Sequence, residues 1–93
     1  MDLTFDWDEV KARANLRKHR VSFYEGKTVF NDPFLLTFAD PEHSVREERY
    51  INIGMSSRGR MLVVIHTERG GIIRLLSSRK AAPHERKFYE SAE

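Results

Sequence analysis

The sequence predicts an α+β domain: two N-terminal helices, an antiparallel sheet of about four strands, and a C-terminal helix. Three observations carry this. Helix-capping patterns are confined to residues 6–31 and 82–90. Between them, from Phe34 to Ser78, apolar residues alternate with polar ones or run in short β-branched stretches. Gly70-Gly71 separates two of those stretches by the two residues that a tight hairpin needs. Ninety-three residues, 1–93, make one small domain with one modest core.

The elements follow in order. Leu3-Thr4-Phe5 reads as a short strand. Asp6 stands as an N-cap, and Glu9 three residues on completes an Asp-x-x-Glu capping box. The helix it opens runs through WDEVKARANLRKH, burying Trp7, Val10 and Ala14 and presenting Lys11, Asn15, Lys18 and His19 on an adjoining face. Ser22 and Glu25 form a second capping box. The short helix that follows is anchored by Phe23, Val29 and Phe30 and stopped by Asn31-Asp32-Pro33. FLLTFA begins the sheet, DPEHSVRE is a polar loop, ERYINIG is the next strand, and SSRG turns the chain. RMLVVIHTE and IIRLLSS flank the hairpin, whose glycines accept the positive φ of a type I′ turn. Pro83 suits the first position of the last helix. Its N-cap falls on Ala82, which offers no side-chain acceptor and costs about 1 kcal/mol against Ser or Thr.

Composition removes several function classes. No apolar run approaches the length that crosses a bilayer, and the acidic opening MDLTFDWDEVK lacks the basic-then-apolar order of a secretory signal. Zero cysteines exclude a disulfide scaffold or thiolate metal site and fit a reducing cytoplasm. The four histidines, His19, His43, His66 and His84, show no paired ligand spacing, so neither a metal nor another cofactor is expected. A metabolic enzyme is disfavoured because there is no phosphate-cradling glycine loop and no cysteine nucleophile. Net charge is only +2, but it is unevenly placed. Residues 58–87 hold eight cations (Arg58, Arg60, Arg69, Arg74, Arg79, Lys80, Arg86, Lys87) and two anions (Glu68, Glu85), a local +6 that leaves −4 for the rest. That asymmetry points to a polyanion-facing half, against the plainer reading of a solvated basic surface.

Hairpin parity sorts the side chains. With Gly70 and Gly71 at the turn, Arg69 faces Ile72, Thr67 faces Arg74 and Leu62 faces Arg79. Met61, Val63 and Ile65 then share the more apolar face, expected to lie against the helices. Arg60, His66, Glu68 and Arg79 share the other, a costly set to bury without purpose. Arginines on an open sheet face suit phosphate: the guanidinium fork matches phosphate oxygens and stays charged. The same group stabilises charge on a phosphorane during RNA self-cleavage through the 2′-OH, which otherwise needs only a base and an acid. His19, Lys18 and Glu48 are the nearby candidates. Each has a plainer role as well. Lys18 and His19 complement the helix dipole, Glu48 makes a surface ion pair, Tyr89 anchors the last helix or stacks a base, and His66 is a core histidine.

The segments FDWDEVKARANLRKHRVSFYEGKTVFNDP, EERYINIGMSSRGRMLVVIHTERGGIIRLLSSRKA and ERKFYE together resemble the BrnT family of bacterial type II toxins, from Phe5 to Glu90. The resemblance rests on WD-x-x-K-x-x-x-N-x-x-K-H, V-F-x-D-P, E-E-R, G-R-x-L-x-V-V, and S-x-R-K-A followed by E-R-x-x-Y-E. It implies a RelE-like fold and a metal-independent ribonuclease that inhibits translation. It also implies a BrnA-like antitoxin whose ribbon-helix-helix part binds operator DNA, the complex repressing its own operon. Carried over residue by residue, it implies an active-site set of Lys18, His19, Glu48, Arg60, Arg79 and Tyr89. Lys80, Arg86 and Arg58 add attraction for the RNA backbone. Three positions depart from the family: Arg20 replaces a usual Gly, Ser78 a usual Ala, and Ala82 a usual Thr. The alternative is a non-catalytic basic module that binds RNA or protein and serves as a co-repressor scaffold.

Overall fold

A computed structural model describes residues 2–92 and is α+β. Its sheet has five strands rather than four. They are β1 (Phe5–Asp6), β2 (Leu36–Ala39), β3 (Arg49–Met55), β4 (Met61–Arg69) and β5 (Ile72–Lys80), in spatial order β1-β5-β4-β3-β2. β2 to β5 form an antiparallel meander, while β1 adds to β5 in parallel and makes the sheet mixed. The expected first strand at residues 3–5 therefore forms two residues later, at Phe5–Asp6. Gly70 and Gly71 both take positive φ, 56° and 81°, as the two-residue hairpin requires.

Only one full helix precedes the meander, not two. It is α1 (Glu9–His19), followed by the single turn α2 (Phe23–Gly26), which tightens into a 3-10 helix over Lys27–Asn31. The α1 N-cap is Asp8, not Asp6: its carboxylate accepts from Val10 N at 2.8 Å and Lys11 N at 3.2 Å. Asp6 is drawn into β1 and pairs with Arg74 at 3.2 Å. α1 buries none of its residues completely, and Val10, expected inside, is 65% exposed; Ala12 instead meets the core. At Ser22 only half of the expected box forms. Ser22 Oγ accepts from Glu25 N, but the Glu25 carboxylate turns toward the β3–β4 turn. The last helix, α3 (Pro83–Ser91), starts at Pro83 as expected, and Glu85 compensates for Ala82 by accepting its backbone N–H at 2.8 Å.

The sheet buries both faces unevenly. Leu62, Val64, Ile73 and Leu75 pack with Val21, Phe23 and Val29 beneath α1 and α2. Ile53, Met61 and Val63 pack with Tyr89 of α3. This reverses the expected assignment, since the N-terminal helices cover the Leu62 face. A β-bulge explains the rest. The hairpin register holds as far as His66↔Leu75, then shifts by one, leaving Leu76 without a cross-strand partner. Beyond it Val63 faces Arg79 and Leu62 faces Lys80, so Arg79 changes faces and emerges on the side of α3.

Candidate active site

The end of the sheet where β4 begins and β5 finishes gathers most of the predicted residues. Asn15 brings α1 there. Its Nδ2 donates to Ser78 O at 2.7 Å and Val21 O at 3.0 Å, and its Oδ1 accepts from Ser78 N at 3.2 Å. One turn beyond Asn15 come Lys18 and His19, and one residue beyond Ser78 comes Arg79. His19 is thereby held within electrostatic reach of Arg79. Its pKa is lowered by partial burial first, then by Lys18 and Arg79, which favours the neutral imidazole near pH 7.

Arg79 is fixed from the other side by α3. Its Nη1 and Nη2 donate to the two Glu85 oxygens, both at 2.8 Å, and Nη1 also reaches Lys80 O at 3.3 Å. The Glu85 carboxyl is held below its usual range by Arg79 and by the Ala82 N–H, and Arg79 is more firmly cationic in return. Among the described residues these bonds use the end-on edge of the guanidinium. Its Nε–H and one Nη2–H, the side-on edge, stay free for a second acceptor.

Arg60 reaches the same end of the sheet but serves a different partner. Its Nε donates to Glu25 Oε2 at 2.9 Å, its Nη2 donates to Glu25 Oε1, and Nη2 also reaches Arg20 O at 3.4 Å. Glu25, buried, accepts as well from Ser56 Oγ at 2.7 Å, and Arg58 lies 3.7 Å away. Arg60 and Arg79 thus open onto opposite faces, one toward α2 and one toward α3; the expected common face does not form. Lys80 and Arg86 are exposed.

Tyr89 is buried, and its hydroxyl donates to Asp32 Oδ2 at 2.6 Å. Asp32 also accepts from Met55 N and Phe34 N, so the tyrosine pins α3 to the turn before β2. Glu48 stands apart. It precedes β3 and accepts from Tyr50 OH at 2.6 Å. Seven residues separate it from Met55 at the cationic end of the strand, roughly 20 Å at β spacing. Near it His66 is buried. Asn52 Nδ2 donates to its Nδ1 at 2.7 Å, which leaves the Nε2–H to donate to Glu68 at 3.2 Å, and Tyr50 stacks on its ring.

The sequence reading overlooked the residues that organise this corner. The sequence places Asn15 on a face adjoining the buried one, Glu25 and Glu85 in helix first turns, and Asp32 in a helix stop. One signal was present. Three of them belong to short motifs whose partners lie in other motifs: Asn15 with Ser78, Asp32 with Tyr89, Glu85 with Arg79.

Fold and site together define a small mixed α+β protein whose cationic corner is held by buried and half-buried carboxylates. The model of the family described as "Ribonuclease toxin, BrnT, of type II toxin-antitoxin system" matches residues 7–85, and the chain belongs to that family. Membership makes it a toxin with a protein antitoxin as partner. The 1.1 Å crystal structure of the Brucella abortus ribonuclease toxin, BrnT, is 21% identical and aligns over 87% of this chain and 99% of its own, with a TM-score of 0.68. At that identity the likeness shows a common fold. A search of curated proteins finds no match. Among the described residues no helix is long and apolar enough to cross a membrane.

Proposed function

We propose that the chain is a RelE-like, metal-independent endoribonuclease that inhibits translation in the cytoplasm. In this reading a BrnA-like antitoxin neutralises it, and the pair reaches operator DNA through the antitoxin. The observation that carries the reading is Arg79, held end-on by Glu85 with its side-on edge open, with Lys18 and His19, whose pKa is lowered, at the same end of the sheet.

In the reaction the side-on edge of Arg79 takes two oxygens of the scissile phosphate. His19 removes the proton from the adjacent 2′-OH, whose oxygen attacks phosphorus as the P–O5′ bond breaks. The leaving 5′ oxygen collects a proton from water, and a 2′,3′-cyclic phosphate remains. Arg79 stabilises the charge that builds on the phosphorane. Placement favours His19 over Glu48 as the base: His19 lies within electrostatic range of Arg79, whereas Glu48 stands roughly 20 Å away along β3. Lys18, Lys80, Arg58 and Arg86 supply backbone attraction. Arg60 and Tyr89 act through the scaffold, by neutralising Glu25 and by docking α3.

The test compares Arg79→Ala, Arg79→Lys and Lys80→Ala, purified and folded, on single-stranded RNA in the presence of EDTA. Loss of a preorganised donor lowers the rate about a hundredfold, so both Arg79 variants fall by that order, the lysine because an ammonium lacks the fork. Lys80→Ala weakens binding mildly and flattens its salt dependence. Near-normal cleavage by Arg79→Ala, or loss of cleavage in EDTA, overturns the reading.

A further inference from the structure

α3 closes only part of the sheet face it lies on. Beside it a groove of about 390 Å³ stays open, lined by Phe38, Ile51, Ile53, His84, Glu85 and Phe88. Its aromatic walls are placed in an unusual way for a core. Phe88 is 51% exposed, and its ring meets that of Phe38 edge-on, with centroids 5.6 Å apart and planes at 63°. The two rings make a corner beside the groove, and half of Phe88 is open to solvent. The floor is aliphatic. One wall is Glu85, whose carboxylate grips the Arg79 guanidinium, so the groove starts one side chain away from that cation. Exposed Lys80, Arg86 and Lys87 add positive charge along the end of β5 and the outside of α3.

An aromatic corner with an aliphatic floor, one side chain from Arg79, matches single-stranded nucleic acid: the cation meets the backbone and the rings meet the base. Position favours nucleic acid over an apolar protein segment, because the groove begins at Glu85, the residue that holds Arg79 with its side-on edge open. We propose that this groove is a nucleobase subsite, in which the base next to the phosphate on Arg79 stacks on Phe88 with Phe38 against its edge. It rests on the reading of Arg79 as the phosphate-binding residue. Stacking of this kind is tolerant of base identity, so the subsite positions the strand more than it selects a sequence.

The test uses a 2′-O-methyl RNA hexamer bearing one 2-aminopurine, which the blocked 2′ oxygen protects from cleavage. The parent protein quenches the 2-aminopurine on binding. Phe88→Ala loses the quenching and binds about tenfold more weakly, the order of one lost base stack. Phe88→Trp keeps both, whereas Phe88→Leu, apolar but without a π face, behaves like Phe88→Ala. Phe38→Leu gives the same result in smaller measure, and thermal melting verifies that all variants are folded. Parent-like affinity and quenching in Phe88→Leu overturn the proposal. So does loss of antitoxin binding by Phe88→Ala with RNA binding intact, which makes the groove a protein-docking surface. Arg79→Ala separates the two readings. If it abolishes cleavage while every Phe88 variant binds normally, the phosphate site stands and the base subsite falls. If it cleaves and binds normally while Phe88→Ala fails to bind, the phosphate reading falls instead.

Discussion

Arg60 is the residue whose role the structure changes most, and Arg60→Ala puts that change to measurement. The Glu25 side chain is only 3% exposed, and Arg60 supplies two of its hydrogen bonds. Without Arg60 the carboxylate keeps Ser56 Oγ and a weak attraction to Arg58, which lies 3.7 Å away with its side chain 72% exposed. Removing one member of a fully buried ion pair is strongly destabilising because the other charge stays desolvated. Arg60 is itself 28% exposed, so its truncation admits water to Glu25 and the loss is smaller than for a fully buried pair, yet still a measurable share of the stability of a domain of this size. The assay is urea unfolding followed by far-UV circular dichroism at pH 7. Glu25→Gln in the Arg60→Ala background removes the orphaned charge and recovers part of the loss, and Arg79→Ala serves as a control whose partner Glu85 is less buried. If Arg60→Ala unfolds at the parent's midpoint yet cleaves no RNA, Arg60 belongs to the chemistry and the scaffold role assigned to it is wrong.

Two single substitutions are expected to stabilise the fold. Among the described residues the buried Ser78 Oγ has no hydrogen-bond partner, so Ser78→Ala is expected to gain about 1 kcal/mol in chemical denaturation. Arg20 caps α1 at φ 59°, a left-handed conformation that costs a side-chain-bearing residue roughly 1–2 kcal/mol. Arg20→Gly relieves it, and after glycine's own entropy cost of about 0.5–1 kcal/mol a net gain of about 0.5 kcal/mol is expected. An unchanged or lower midpoint in either variant counts against these accounts. The fold is also expected to lose stability in acid through His66. Burial, the largest cause, lowers its pKa below the ordinary 6.5 despite Glu68, and Asn52 occupies the nitrogen that a proton would need. Below about pH 6.5 the unfolded chain takes a proton that the folded chain refuses. Stability therefore falls with pH, by up to about 1.4 kcal/mol per unit, until the folded histidine titrates. A His66→Gln variant with an undiminished slope between pH 5 and 6.5 shows that another group is responsible.

Much of the meander was legible in the sequence, for reasons that are local. Gly70-Gly71 dictates a hairpin because positive φ at both central residues is open to glycine and to few others. The same two residues set the register as far as His66↔Leu75. Pro83 starts a helix because its fixed φ suits the first turn and its missing N–H costs nothing there. The cationic stretch through Arg79 and Lys80 marked the candidate site by composition alone. Local signals misled where two residues competed for one role. Asp6 and Asp8 are both acceptable N-caps, and pairing with β5 decided between them by claiming Asp6 for the sheet.

The rest belonged to tertiary structure, because it depends on contacts between residues far apart in the chain. The bulge at Leu76 is one extra residue in one strand, with no compositional mark, yet it moves Arg79 to the other face of the sheet and within reach of Glu85. Glu25 and Arg60 are 35 residues apart, and Asn15 and Ser78 are 63 apart; only the closed fold makes them neighbours. Composition could say that arginines would face a polyanion. Which arginine keeps a free edge is decided by the carboxylate that packing places against it, since a guanidinium satisfied on both edges has no donor left for phosphate.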